Sequence, residues 1–126
     1  MGNKRELKRL CYMEALEDNV VGVEMILNRF NQIDNKKGVF DSYILTHDRT
    51  KAILDLELSL ATLCILLRKM SENLMVVIPS ELRRDINSII HSNKFEVEDG
   101  KVIVYSQKGE ELVNIDNLLS FARSIL

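Results

Sequence analysis

Two long stretches of the 126-residue chain carry apolar residues at steps of three and four, the spacing of helices that pack along one face. The first predicted helix runs from Lys4 to about Asn31, with Met13, Leu16, Val20, Val23, Leu27 and Phe30 as its stripe. The polar run Asp34-Asn35-Lys36-Lys37-Gly38 breaks the pattern, and its glycine is suited to a helix stop. Residues 39–48 read as an irregular connection holding the apolar patch Tyr43-Ile44-Leu45. A second helix is predicted from about Asp48, which serves as its N-cap, to Asn73. Its main stripe is Ile53, Leu56, Leu60, Leu63, Leu67 and Met70, and a second stripe, Leu54, Leu58, Ala61 and Ile65, runs beside it. A helix apolar around that much of its girth should sit centrally and touch two or more neighbours. The second stripe also suits a dimerisation seam.

After Met75-Val76-Val77-Ile78, Pro79 opens a third helix, because proline is well placed in a first helical turn. Leu82, Ile86, Ile89 and Ile90 form its apolar side. Asp99-Gly100 is a favoured two-residue turn, and it predicts a hairpin that pairs Val97 with Val102 and Phe95 with Val104. Ile103 and Tyr105 on the opposite face imply that this face is covered in part. Lys108-Gly109 marks another turn, with a short strand at Leu112-Val113 beyond it. A last helix, capped by Asn114 or Asp116, packs Leu118, Leu119, Ala122, Ile125 and Leu126 inward.

Composition narrows the class to one ordinary globular domain spanning residues 1–126. The formal net charge of −2 argues against a surface coated with a nucleic-acid-binding field, so any such contact needs a local cluster. Cys11 and Cys64 are both expected in buried stripes. Without paired spacing or a signal peptide, they point to a reducing, cytoplasmic setting. Neither a metal site nor a cofactor is expected, since the 2 histidines and 2 cysteines stand apart. No apolar run approaches the ~20 residues that span a bilayer, so no membrane partner is expected.

The polar face of the third helix carries the candidate chemistry. At 100° per residue, Arg84 lies about 20° from His91 and Asn87 about 40°, nearly opposite the apolar stripe. An imidazole with a reference pKa of about 6.5 can take a proton from a ribose 2′-hydroxyl. A guanidinium can hold phosphate oxygens and stabilise the charge that builds during in-line attack. The plainer reading is a solvated helix end with His91 near the negative pole of the helix dipole. Lys4, Arg5, Lys8 and Arg9 form a basic start to the first helix, read as a solvated face. His47-Asp48 is read as a helix start rather than a catalytic pair.

Arg84 followed by Asp85, six residues between that arginine and His91-Ser92-Asn93, the Phe95–Val104 hairpin, Gly109 and a closing helix together resemble the end of HEPN domains (higher eukaryotes and prokaryotes nucleotide-binding). The two long preceding helices fit that layout too. The resemblance implies a mainly α fold, a HEPN-like bundle of about four helices with a C-terminal β-hairpin inserted before the last helix. It implies a homodimer whose two His91-bearing helices meet across a cleft, and metal-independent RNA cleavage through a 2′,3′-cyclic phosphate. A toxin–antitoxin or phage-defence role, with an antitoxin or defence-system protein partner, would follow. His91 would act as general base and later acid, Arg84 as the phosphate clamp. Asn87 would orient substrate or the histidine, with Asp85 and Ser88 completing the substrate-binding set. A second alignment matches Asn87-Ser88-Ile89-Ile90-His91 to the family's commonest Arg-Asn-x-x-x-His form, and Ile86 then occupies the arginine position. In that register the domain is a catalytically inactive module acting through a protein, RNA or nucleotide partner.

Overall fold

Four helices and one three-stranded antiparallel sheet account for the regular structure of this computed structural model, which describes residues 2–35, 42–98 and 101–126. α1 (Gly2–Asn35) and α2 (Ser42–Glu72) are long antiparallel partners. Their alignment is pinned along its length by polar contacts. Lys8 donates to the Asn73 side chain at 3.1 Å, Asn19 to the Ser59 carbonyl at 3.2 Å, and Arg29 pairs with Asp55 at 2.8 Å. Between these contacts the two apolar stripes close on each other. Leu16, Val20, Val23, Ile26 and Phe30 of α1 are buried, as are Ala52, Leu56, Leu60, Leu63, Leu67 and Met70 of α2. Met13, Leu27 and Ile53, expected in the core, are only half-buried at its margin.

α2 begins at Ser42, so Tyr43-Ile44-Leu45 belongs to helical backbone rather than to an irregular connection, and Asp48 lies inside the helix instead of capping it. The expected stop at Gly38 and the Asp99-Gly100 turn lie outside the described residues. α2 touches α1, α3 and β1, yet its second stripe is not covered: Leu54, Leu58 and Ile65 face outward and Ala61 is half-buried. The helix is therefore packed along one side only.

α2 ends in a tight reversal in which the Met75 N–H reaches the Met70 carbonyl at 2.9 Å and the Leu74 N–H reaches Ser71 at 3.0 Å. This is the Schellman pattern, whose left-handed residue is usually glycine. Here it is Leu74, at φ 59°. Pro79 immediately precedes α3 (Ser80–Ile90), and its carbonyl receives the Leu82 and Arg83 N–H groups at 3.1 Å. Leu82, Ile86 and Ile89 point into the core.

Beyond α3, β1 (Lys94–Glu98), β2 (Lys101–Ser106) and β3 (Gly109–Val113) form a meander in the order β1-β2-β3. The register pairs Phe95 with Val104 and Val97 with Val102, as the alternation predicts. The expected two-residue strand at Leu112-Val113 is longer. It starts at Gly109, which supplies the positive φ (115°) that the turn through Gln107 and Lys108 requires. Val97, Val102, Val104 and Val113 line the buried face, whereas Ile103 and Tyr105 are half-buried on the other. α4 (Ile115–Ile125) is capped by Asn114, whose side chain accepts the Asn117 N–H at 3.0 Å. Leu118, Leu119 and Ala122 are buried, but Leu126, expected inside, is 52% exposed.

No helix among the described residues is long and apolar enough to cross a membrane. The two cysteines differ. Cys64 is fully buried and its thiol is pushed up to about 12 by burial, while Cys11, expected in the core, is exposed because it faces away from α2. A thiolate is the reactive form, so native protein treated with a chromogenic disulfide reagent should release one equivalent of chromophore quickly. The second should appear only on denaturation, and a Cys11→Ser variant should show no fast phase.

Candidate functional site

The alternation of β3 determines what faces α3. Glu111 is the register partner of Val104, so both side chains lie on the sheet face that carries the core. Val113 fills that face further along, and Leu112 is turned to the other side, where it is 58% exposed. Glu111 stands where the sheet edge meets α3. There its carboxylate pairs with the Arg84 Nε at 3.0 Å and accepts the Ser88 hydroxyl on its other oxygen. A charged group anchors this junction of helix and sheet.

Around it runs an open groove made of two adjoining hollows of about 530 and 600 Å³. Both are lined by Asn87, Ser88, Ser106, Lys108 and Glu111. His91 and Asn93 belong to the first, and Arg84, Gly109 and Glu110 to the second. Arg84 and His91 thus border neighbouring parts of one depression, as the helical wheel requires. His91 caps α3, its backbone N–H bonded to the Asn87 carbonyl at 3.0 Å. Its imidazole is exposed and has no hydrogen-bond partner among the described residues.

The other expected site residues divide. Ser88 faces the groove through its bond to Glu111. Asn87 does not orient the histidine: its side-chain carbonyl accepts a hydrogen bond from Arg68 of α2. Asp85 is half-buried beside the start of α4. Its carboxyl is raised above the ordinary aspartate range, mainly by burial and next by the Glu111 charge, against the lowering effects of a hydrogen bond from the Asn114 backbone and of Arg84. Lys4, Arg5, Lys8 and Arg9 are exposed at the far end of α1 and take no part. The His47 and Asp48 side chains approach at 3.5 Å, both exposed.

Three contributors lay outside the sequence reading. Lys108 and Glu111 come from the second turn and third strand, and Arg68 comes from a helix distant in sequence. For Glu111 a signal existed: counting back by two from the apolar Val113 places it on the buried side. Arg68 had none, because its meeting with Asn87 depends on how α3 crosses α2.

Arg84 is 81% exposed and Glu111 29%. An ion pair this open to water is worth no more than about 1 kcal/mol, so a phosphate oxygen can displace the carboxylate from the guanidinium. Among the described residues, no group of three or more His, Cys, Asp or Glu side chains converges as a metal site would need. No protein-family profile matches the chain, and neither the curated proteins nor the solved structures contain a match.

The raised Asp85 has a consequence for stability. A carboxyl that holds its proton more tightly when folded favours the folded state at low pH and opposes it once pH rises above the raised pKa. Asp85→Asn keeps an acceptor for the Asn114 N–H and removes the charge. It should raise the melting temperature at pH 7, and this gain over wild type should shrink as pH falls through the carboxylate range.

Proposed function

We propose that the protein is a metal-independent endoribonuclease of HEPN-like type that works at the groove between α3 and the β2–β3 turn. The observation carrying this reading is that Arg84 and His91, seven positions apart on α3, border adjoining hollows of one groove with Ser88 and Lys108 between them. His91 takes the 2′-hydroxyl proton and later returns one, while Arg84 and Lys108 hold the phosphate. The arginine position that Ile86 would fill in the alternative alignment points into the core, which favours Arg84 as the phosphate ligand. The test is cleavage of a structured RNA in excess EDTA. His91→Ala should lower the rate about 10²–10⁴-fold and Arg84→Ala about 10²–10³-fold, with 2′,3′-cyclic phosphate ends on the products. No cleavage by wild-type protein, or cleavage indifferent to His91→Ala, would sink this reading.

Glu111 favours a second reading, in which the domain binds without cutting. A carboxylate already occupies Arg84, and the His91 ring has no orienting partner among the described residues. In that case RNA binds wild-type and His91→Ala protein equally, and neither cuts it.

The uncovered stripe of α2 supports a second copy of this chain as partner. With two α2 helices antiparallel about a two-fold axis near Ser59 and Leu60, Leu54 of one copy meets Ile65 of the other and Leu58 meets Ala61. Asp48 then approaches Lys69, so a pair of opposite charges flanks the apolar centre on either side. Lys51 falls opposite Arg68, which is turned aside toward Asn87. Light scattering at tens of micromolar should give roughly twice the 14.5 kDa chain mass, and Leu58→Glu should restore the monomer without unfolding it. A monomeric wild type would remove the dimer from this proposal.

A further inference from the structure

A smaller cleft opens on the opposite side of Asn87, between α2 and α3. It measures about 170 Å³ and is lined by Arg68, Ser71, Glu72, Ile78, Arg83, Ile86 and Asn87. Its two arginines differ from Arg84 in one respect that matters for anions. Each is held by a neutral acceptor: Arg83 donates its Nε to the Ile78 carbonyl at 3.1 Å, and Arg68 donates to the Asn87 side chain. Neither forms an ion pair among the described residues. Glu72 lines the cleft but pairs with neither. Each guanidinium is therefore fixed in direction by a neutral group, and most of its N–H donors remain unused, with two cationic groups against the single carboxylate of Glu72 in the lining. Two such groups beside the Ser71 hydroxyl form a fork suited to phosphate oxygens. Ile78 and Ile86, both buried, make the floor rigid.

We propose that this cleft is a phosphate-binding site, distinct from the Arg84–His91 groove and joined to it through Asn87, which lines both. The phosphate is the diester of an RNA strand whose next nucleotides lie in the groove, or the monoester of a free nucleotide. The site requires neither Arg84 nor His91, so it stands whether or not the protein cleaves RNA. It differs from the groove in charge. In the groove an incoming phosphate must displace Glu111 from Arg84, whereas here no ion pair among the described residues has to be broken, so the cleft should be the first contact made.

The experiment measures binding of a fluorescein-labelled oligouridylate to His91→Ala protein in EDTA, as a function of salt, with inorganic phosphate and AMP as separate probes. Arg68→Gln and Arg83→Gln keep the side-chain length and remove the charge. Each should weaken oligonucleotide binding several-fold at low salt and lower the slope of log K against log salt by about 0.7, the value for one lost single-strand phosphate contact. Lys101→Gln, on the exposed hairpin, should change neither. If inorganic phosphate and AMP compete with the oligonucleotide and lose their affinity in both variants, the site accepts a free phosphate monoester. If only the oligonucleotide binds, with the same dependence on Arg68 and Arg83, the site belongs to the strand. Binding to all three probes that is unchanged in both variants, or absent from wild-type protein, overturns the proposal. Circular dichroism on each variant separates lost binding from lost folding.

Discussion

One side of α2 organises this protein. Leu56, Leu60, Leu63, Leu67 and Met70 form an unbroken buried seam, and α1, α3 and β1 all pack against the helix that carries it. Burying each of these side chains is worth roughly 1.5–3 kcal/mol, while the regular structure outside the two long helices is short. α3 and α4 have 11 residues each and the strands five or six. Helices of that length are marginal alone. Their polar faces are held in position because their apolar faces have this seam and the valine face of the sheet to rest on.

That division of labour explains what could be read from the chain. The two long helices were legible because their stripes extend over many turns, and the hairpin because Phe95, Val97, Val102 and Val104 alternate around a strong turn dipeptide. The start of α2 was misread because an apolar cluster beside polar residues has no evident period over a few positions. Cys11 and Leu126 were misassigned for a related reason: apolar character says that a residue can be buried, and only the packing says whether a neighbour is there. The candidate site was half legible. Arg84, Ser88 and His91 lie within two turns of one helix, where spacing fixes direction. Glu111 and Arg68 reach the site through tertiary contacts, which spacing does not record.

Among the described residues no charged side chain is buried, so the electrostatics here are those of a surface. The ion pairs at Arg84–Glu111, Arg29–Asp55 and Arg123–Glu24 are alignment devices of small net energy, sensitive to salt. They specify which groups stand together more than they stabilise the fold. The same openness allows Arg84 to exchange partners, a freedom that a buried pair would lack.

The β2–β3 turn carries a consequence of another kind. Strand pairing admits only whole-residue steps, and each step reverses which face a side chain occupies. A one-residue deletion at Gln107-Lys108 that kept the strands paired around an equally tight turn would bring Leu112 to the place of Glu111 and send that carboxylate to the far face. The polarity of the groove is thus a discrete variable, set by the length of one short turn. Related chains could switch it in a single evolutionary step while leaving every residue of the helical core as it is.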